Sequence, residues 1–153
     1  MDLPIIPLPK NLSFIEVAFD DLDTVQALLR SNYLPFEDCG DHVSNLIGIV
    51  HKEQIIAVGG FEQVGRFALL RSVAVDSQFR GLDLARSLVE KILAQLKFFK
   101  LEAVYILTET ADQYFFRLGF NAIERDKLPL EIQTTQQCQT LCFASAIAMR
   151  LVF

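Results

Sequence analysis

Residues 78–86 read QFRGLDLAR and lie between the apolar run LLRSVAVD and the stretch SLVEKILAQLKFF. A strand that stops at such a turn and feeds directly into a helix leaves the first-turn N–H groups without internal partners. Those donors, aligned with the positive end of the helix dipole, form a site for phosphate. Arg80 and Arg86 bracket the turn with positive charge, and Arg71 lies upstream. Asp83 is the anomaly. It sets a carboxylate where an anion should bind, and as a favoured N-cap residue it competes for the same amides. A tight strand-to-helix link with no ligand fits this stretch alone equally well, because short glycine-containing connections are common.

The surrounding pattern supplies elements to hold such a loop. SFIEVAF (13–19) alternates as a strand, and DDLDTVQALLR follows with Val25, Leu28 and Leu29 at helical spacing. NYLPFEDCGD reads as a loop, with Pro35 barring continuation of that helix. NLIGIVH (45–51), QIIAVGGFEQV (54–64) and RFALLRSVAVD (66–76) are strands joined by links too short for parallel neighbours, hence an antiparallel meander. After Asp76 the period changes. Leu84, Leu88, Val89, Ile92 and Leu96 form one helical stripe, with Glu90, Lys91, Gln95 and Lys97 elsewhere on the helix. EAVYILT (102–108) follows across a crossover and is therefore parallel to the 66–76 strand. TADQYFFRLGF predicts a short helix from about Thr110 ending at Gly119, NAIER a short strand, LPLEIQTTQQ a helical or irregular excursion, and CFASAIAMRLVF a last strand.

Composition narrows the class. A chain of 153 residues, 52% hydrophobic, fits one domain over 1–153 with a sizeable core. A formal charge of −5 argues against an extended nucleic-acid surface, and no polybasic run invites a membrane surface. The opening MDLPIIPLPKN does not resemble a secretory signal, and no stretch approaches the ~20 apolar residues that span a bilayer. With three cysteines, Cys39, Cys138 and Cys142, the expectation is reduced thiols in a cytoplasmic protein. A three-thiol site for a soft ion is conceivable, but buried or incidental thiols are the usual case and no metal site is expected.

The order strand, helix, three-strand meander, loop and helix, strand, then a helix ending LGF resembles the GCN5-related N-acetyltransferase family over nearly the whole chain from Ser13. In that family a strand ends in R/Q-x-x-G-x-G/A, whose amides hold the coenzyme A pyrophosphate; here Arg80-Gly81-Leu82-Asp83-Leu84-Ala85 occupies the motif. Arg80 and Ala85 match, Gly81 is commonly present, and Asp83 departs. VGGFEQVGRFALLRSVAV, LTETADQYFFRLGF and LCFASAIAMRLVF are further similar, in content and spacing, to small stand-alone acetyltransferase-like proteins associated with arsenic resistance.

The resemblance implies an α/β fold, a mixed and mostly antiparallel sheet flanked by helices, with a central parallel strand pair forming the cofactor cleft. It implies acetyl-CoA as cosubstrate, held by backbone of Val73, Ala74 and Val75, by the loop Arg80, Gly81, Leu82, Asp83, Leu84, Ala85 and Arg86, and by Thr108. Val73 would offer a backbone N–H to the acetyl carbonyl, a contribution of ~3 kcal/mol where such donors are well placed. An amine acceptor is normally protonated at neutral pH, so attack requires a base. Glu62, in GFE, matches the family's GLE position and is the first candidate; a solvated strand carboxylate is the bland alternative. His42 and His51 are other candidates without a motif around them.

The tyrosine that usually assists thiolate departure, four residues before the glycine of LGF, is Phe115 here. Tyr114 points about 100° away on a helix. Thr110 or Tyr105 are the alternatives to water as proton source. The expected reaction is acetyl transfer to a small amine-bearing molecule in a ternary complex, by a monomer or homodimer acting without nucleic acid or membrane. The alternative is a degenerate fold of the same family that binds a ligand or partner without catalysis, with Asp83 and Phe115 as its support.

Overall fold

The computed structural model describes residues 7–141 and 145–153. Its strands are β1 (Ser13–Glu16), β2 (Leu46–His51), β3 (Gln54–Val64), β4 (Phe67–Val75), β5 (Ala103–Thr108), β6 (Asn121–Ile123) and β7 (Ile147–Val152). The α-helices are α1 (Leu22–Ser31), α2 (Leu84–Leu96), α3 (Asp112–Arg117) and α4 (Leu130–Gln133). The strands make one mixed sheet in the order β1-β2-β3-β4-β5-β7-β6. β1–β2, β2–β3, β5–β7 and β6–β7 pair antiparallel, and β4–β5 is parallel. This is the architecture expected from the sequence, with the crossover through α2 producing the parallel pair.

Element boundaries moved for local reasons. The first strand stops at Glu16 because Ala18 begins a turn, its N–H donating to the Asp21 carboxylate at 2.9 Å. The helix expected from Thr110 starts at Asp112, after Thr108 Oγ1 accepts from the Ala111 N–H at 3.0 Å. The LPLEIQTTQQ excursion is helical, with α4 followed by one wide turn over Gln137–Leu141.

Backbone contacts gather into two units, one made of the described residues through Phe61 with Ser72–Gln95, the other of Glu62–Arg71 with Leu96–Phe153. In the first, Val25, Leu28 and Leu29 of α1 bury against Val17, Cys39, Val43, Leu46, Ile55, Val58 and Ala74. On α2, Leu84, Leu88, Val89, Ile92 and Leu96 are each at most 2% exposed, at ~1.5–3 kcal/mol apiece for such burial. Glu90 lies off the apolar stripe of α2 and is buried all the same; Arg86 Nε covers its carboxylate at 2.9 Å, one turn back. Gly60 admits the β2 backbone closely: a Cβ there would lie 2.6 Å from Leu46 Cδ2 and 2.9 Å from the Asn45 carbonyl.

In the second unit, Leu69, Ala103, Tyr105, Leu107, Leu128, Ile132, Ala146 and Ala148 form the core. The β4–β5 register runs from Phe67↔Ala103 to Leu70↔Ile106, and Phe67 meets the Tyr105 ring edge-on at 5.8 Å. No helix among the described residues is long and apolar enough to cross a membrane.

Candidate active site

The loop after β4 has a backbone built for close approach. Asp76 accepts from the Gln78 N–H at 2.9 Å and turns the chain out of the strand. Gly81 and Asp83 then both take left-handed conformations, with φ of 88° and 57°. A Cβ on Gly81 would meet nothing within 4 Å, so glycine serves there for its dihedral and not for space. The family motif puts glycine at the position of Asp83, and the left-handed φ explains why; aspartate is one of the few other residues that adopt it readily.

Asp83 caps α2 with its main chain and not with its carboxylate. Its carbonyl accepts from the Ser87 N–H at 3.0 Å and from Ser87 Oγ at 3.2 Å. The side-chain cap that the sequence makes available to Asp83 is not formed. Asp83 is exposed, and among the described residues no side chain accepts from the N–H groups of Leu84, Ala85 or Arg86. The first-turn amides of a 13-residue helix therefore remain open to an anion.

The cations of the loop are less free than their charge implies. Arg86 spends Nε on Glu90, and Arg80 donates from Nη2 to Asn32 Oδ1 at 2.9 Å. Arg80 is exposed, Leu82 is 46% exposed, Leu84 is buried and Ala85 half-buried. Along β4, Val73 turns its side chain toward the α2 side, beside Gly59, while Ala74 enters the α1 core. The Val75 carbonyl accepts from Asn32 Nδ2 at 3.4 Å. Just before this run, Ser72 has φ 61° within a strand, an irregularity that shifts the backbone out of regular β geometry. Neither Asn32 nor Ser72 was singled out by sequence. Asparagine after the last helical residue is a readable cap signal, whereas nothing in RSVAV announces a left-handed serine.

The residues of the other unit form a separate set. Glu62 of β3 is half-buried and faces Arg71 of β4, Nη1 to Oε1 at 3.5 Å. The Arg71 side chain is 1% exposed. It is a partner of Glu62 and is withdrawn from solvent, so the positive charge on the loop comes from Arg80 and Arg86. Thr108 uses Oγ1 to start the α3 turn. Tyr105 is a core residue against Phe67. Phe115 is buried, edge-on to Phe120 at 5.7 Å and to Tyr114 at 5.5 Å.

Of the two histidines, His42 Nε2 lies 3.4 Å from the carboxylate of buried Asp38, and His51 packs on Phe79 at 5.2 Å. Cys39 is buried and Cys138 half-buried, and neither is in a disulfide among the described residues; Cys142 lies outside them. Among the described residues no group of three His, Cys, Asp or Glu is arranged to hold a metal.

A mixed sheet with a parallel pair at its centre, and a helix opening with unclaimed amides just after the inner strand, define the acyl-CoA N-acyltransferase class. The model of the acetyltransferase (GNAT) family matches residues 14–120, and the chain belongs to that family of N-acetyltransferases, for which acetyl-CoA is the typical cosubstrate. Among solved structures the fold is similar to N-acetylglutamate synthase from Neisseria gonorrhoeae, complexed with coenzyme A and N-acetyl-glutamate (TM-score 0.79, 14% identity, 92% of this chain and 35% of that one).

It is also similar to Rv2747 from Mycobacterium tuberculosis, solved with coenzyme A (TM-score 0.77, 16% identity, 92% and 99% covered). A GNAT-family acetyltransferase from Staphylococcus aureus Mu50 gives a TM-score of 0.74 at 15% identity, with 92% and 98% covered. This chain thus spans about a third of the gonococcal synthase and nearly all of the other two. No curated protein matches.

Proposed function

We propose that this chain transfers an acetyl group from acetyl-CoA to the amine of a small molecule, directly and within a ternary complex. The observation that carries the reading is the loop at residues 80–86: two left-handed positions, an exposed arginine, and α2 amides that no side chain among the described residues claims. This arrangement fits a pyrophosphate. The amides of Leu84, Ala85 and Arg86 and the Arg80 guanidinium would hold it, and the backbone of Val73–Val75 would align the pantetheine arm. When bound, acetyl-CoA supplies an acetyl group activated as a thioester. The Val73 N–H would donate to the acetyl oxygen, where a well-placed donor contributes ~3 kcal/mol.

Glu62 is the proposed base. Arg71 fixes its carboxylate from a buried position, and the base would take a proton from the acceptor amine directly or through water. A buried Phe115 offers no hydroxyl for thiolate departure, so water is the proposed proton source. Thr108 keeps a proposed secondary role at the pantetheine, since the oxygen that accepts from Ala111 still carries a donatable proton. Acceptors of the small-molecule kind are favoured by the subfamily resemblance of the blocks ALLRSVAV, QYFFRLGF and LCFASA.

Calorimetry with acetyl-CoA, followed by thiol release across a panel of small amines, tests the proposal. Micromolar binding and amine-dependent release that falls at least tenfold in Glu62→Gln is the expected outcome. Failure of the folded protein to bind acetyl-CoA at millimolar concentration would overturn it. Unchanged turnover in Glu62→Gln would remove only the assignment of the base.

A further inference from the structure

We propose that Asn32 is a positioning residue for the cofactor loop: it fixes Arg80 before a phosphate arrives and makes the C-terminus of α1 part of the cofactor site. The inference rests on reading residues 80–86 as a pyrophosphate loop. Three contacts define the role. Asn32 Nδ2 donates to the Leu28 carbonyl at 2.9 Å and to the Val75 carbonyl at 3.4 Å, while Oδ1 accepts from Arg80 Nη2 at 2.9 Å. Reversing the amide would set its oxygen against two carbonyls and its NH₂ against a guanidinium, so the partners leave one orientation.

An aspartate would lose both donors, and a leucine every bond. Asparagine is therefore matched to this place by its mixed donor and acceptor set. The carbonyl from Val75 and the guanidinium from Arg80 lie at the two ends of the turn that leaves β4, so one side chain ties both ends to α1.

The backbone around Asn32 is also committed. Tyr33 N–H donates to the Arg30 carbonyl and Leu34 N–H to the Leu29 carbonyl, each at 3.0 Å, which is the helix-ending pattern normally served by glycine. Here the left-handed position is Tyr33, at φ 59° and 89% exposed. A bulky residue takes that conformation at a cost, and the closure it completes sets where the Asn32 side chain points. Arg80 is itself exposed, and a long exposed arginine otherwise samples many rotamers. Holding its Nη2 removes that freedom before binding, so less ordering remains when the phosphate arrives.

The test combines calorimetry with acetyl-CoA and steady-state kinetics for Asn32→Ala, Arg80→Ala and the double variant. Asn32→Ala is expected to raise the Kd and the KM for acetyl-CoA about fivefold, the scale of ordering one long side chain on binding. The acceptor KM and kcat should stay within twofold, a split that a general loss of structure would not give. Because Asn32 acts through Arg80, the double variant should bind no more weakly than Arg80→Ala. A Kd in Asn32→Ala within twofold of wild type, or single effects that multiply in the double variant, would overturn the inference while leaving the cofactor reading intact. No binding by the folded wild type would overturn both. Should Asn32→Ala fold poorly, adding Tyr33→Gly relieves the left-handed cap, and the raised Kd should persist in that stabler pair.

Discussion

Glu62 and Asp83 are the two carboxylates in this chain whose sequence positions point to chemistry, and their surroundings are opposite. Glu62 is half-buried and faces a guanidinium that is almost wholly withdrawn from water. Asp83 is exposed, and its carboxylate has no partner among the described residues. A buried charge must be compensated where it sits, so Arg71 and Glu62 are energetically bound to each other and changes there reach both fold and chemistry. A solvated charge is screened, so Asp83 acts only on what comes close to it. A departure from a family pattern therefore weighs less when it falls on a residue that water already serves.

Arg71→Ala acts most severely on the enclosed pair. It deletes the buried cation, leaves Glu62 without its guanidinium and opens a cavity. A loss of ~3 kcal/mol is expected, the lower end for breaking a buried pair because Glu62 retains some solvent. Thermal unfolding should show it as a fall of roughly 10 °C for a chain of this size. A Tm within 2 °C of wild type would mean that the pair does not hold the second unit together.

Glu62→Gln is milder in fold and sharper in function. It keeps shape and a hydrogen-bond acceptor but takes the counter-charge from buried Arg71, so a loss of ~1.5 kcal/mol is expected, about half that of Arg71→Ala, whereas kcat should fall about 100-fold, the low end for removing a general base. Equal losses in Glu62→Gln and Glu62→Asp would point to geometry and not to proton transfer. A third variant, Gly81→Ala, probes the loop's backbone alone. A Cβ there has room but not the right dihedral, so a loss of ~1 kcal/mol in stability is expected, read by denaturant unfolding.

Much of this arrangement is legible from residue patterns. The stripe Leu84, Leu88, Val89, Ile92 and Leu96 and the trio Val25, Leu28 and Leu29 were readable because burial follows helical period. The parallel pairing of β4 and β5 followed from the helix between them. Three things were not legible. Arg71 reads as an available cation in LLRSV, and only the burial of its neighbours shows that it is enclosed. Glu90 looks like a solvent-facing residue until Arg86 is found one turn away. Asn32 and Arg80 are 48 positions apart, a contact that no local periodicity encodes. In each case the missing information is tertiary: which polar group a distant segment brings alongside.

Two substitutions at the exposed carboxylate separate the charge of Asp83 from its backbone. Asp83→Asn removes the carboxylate and keeps a residue that tolerates left-handed φ; Asp83→Gly removes the carboxylate and the side chain together. One charge in solvent near a polyanion is worth on the order of 1 kcal/mol or less, so both variants should bind acetyl-CoA about three- to fivefold more tightly than wild type. That gain should shrink as salt is raised from 50 to 500 mM, because screening removes the repulsion being relieved. Stability should move by no more than ~0.5 kcal/mol either way, since glycine relieves the dihedral but frees the unfolded chain. If Asp83→Gly gains tenfold where Asp83→Asn gains nothing, the obstacle is the side chain's bulk against the phosphate and not its charge. If neither variant binds more tightly, the carboxylate already points away from the anion, and the open amides of α2 bind as well beside aspartate as beside glycine.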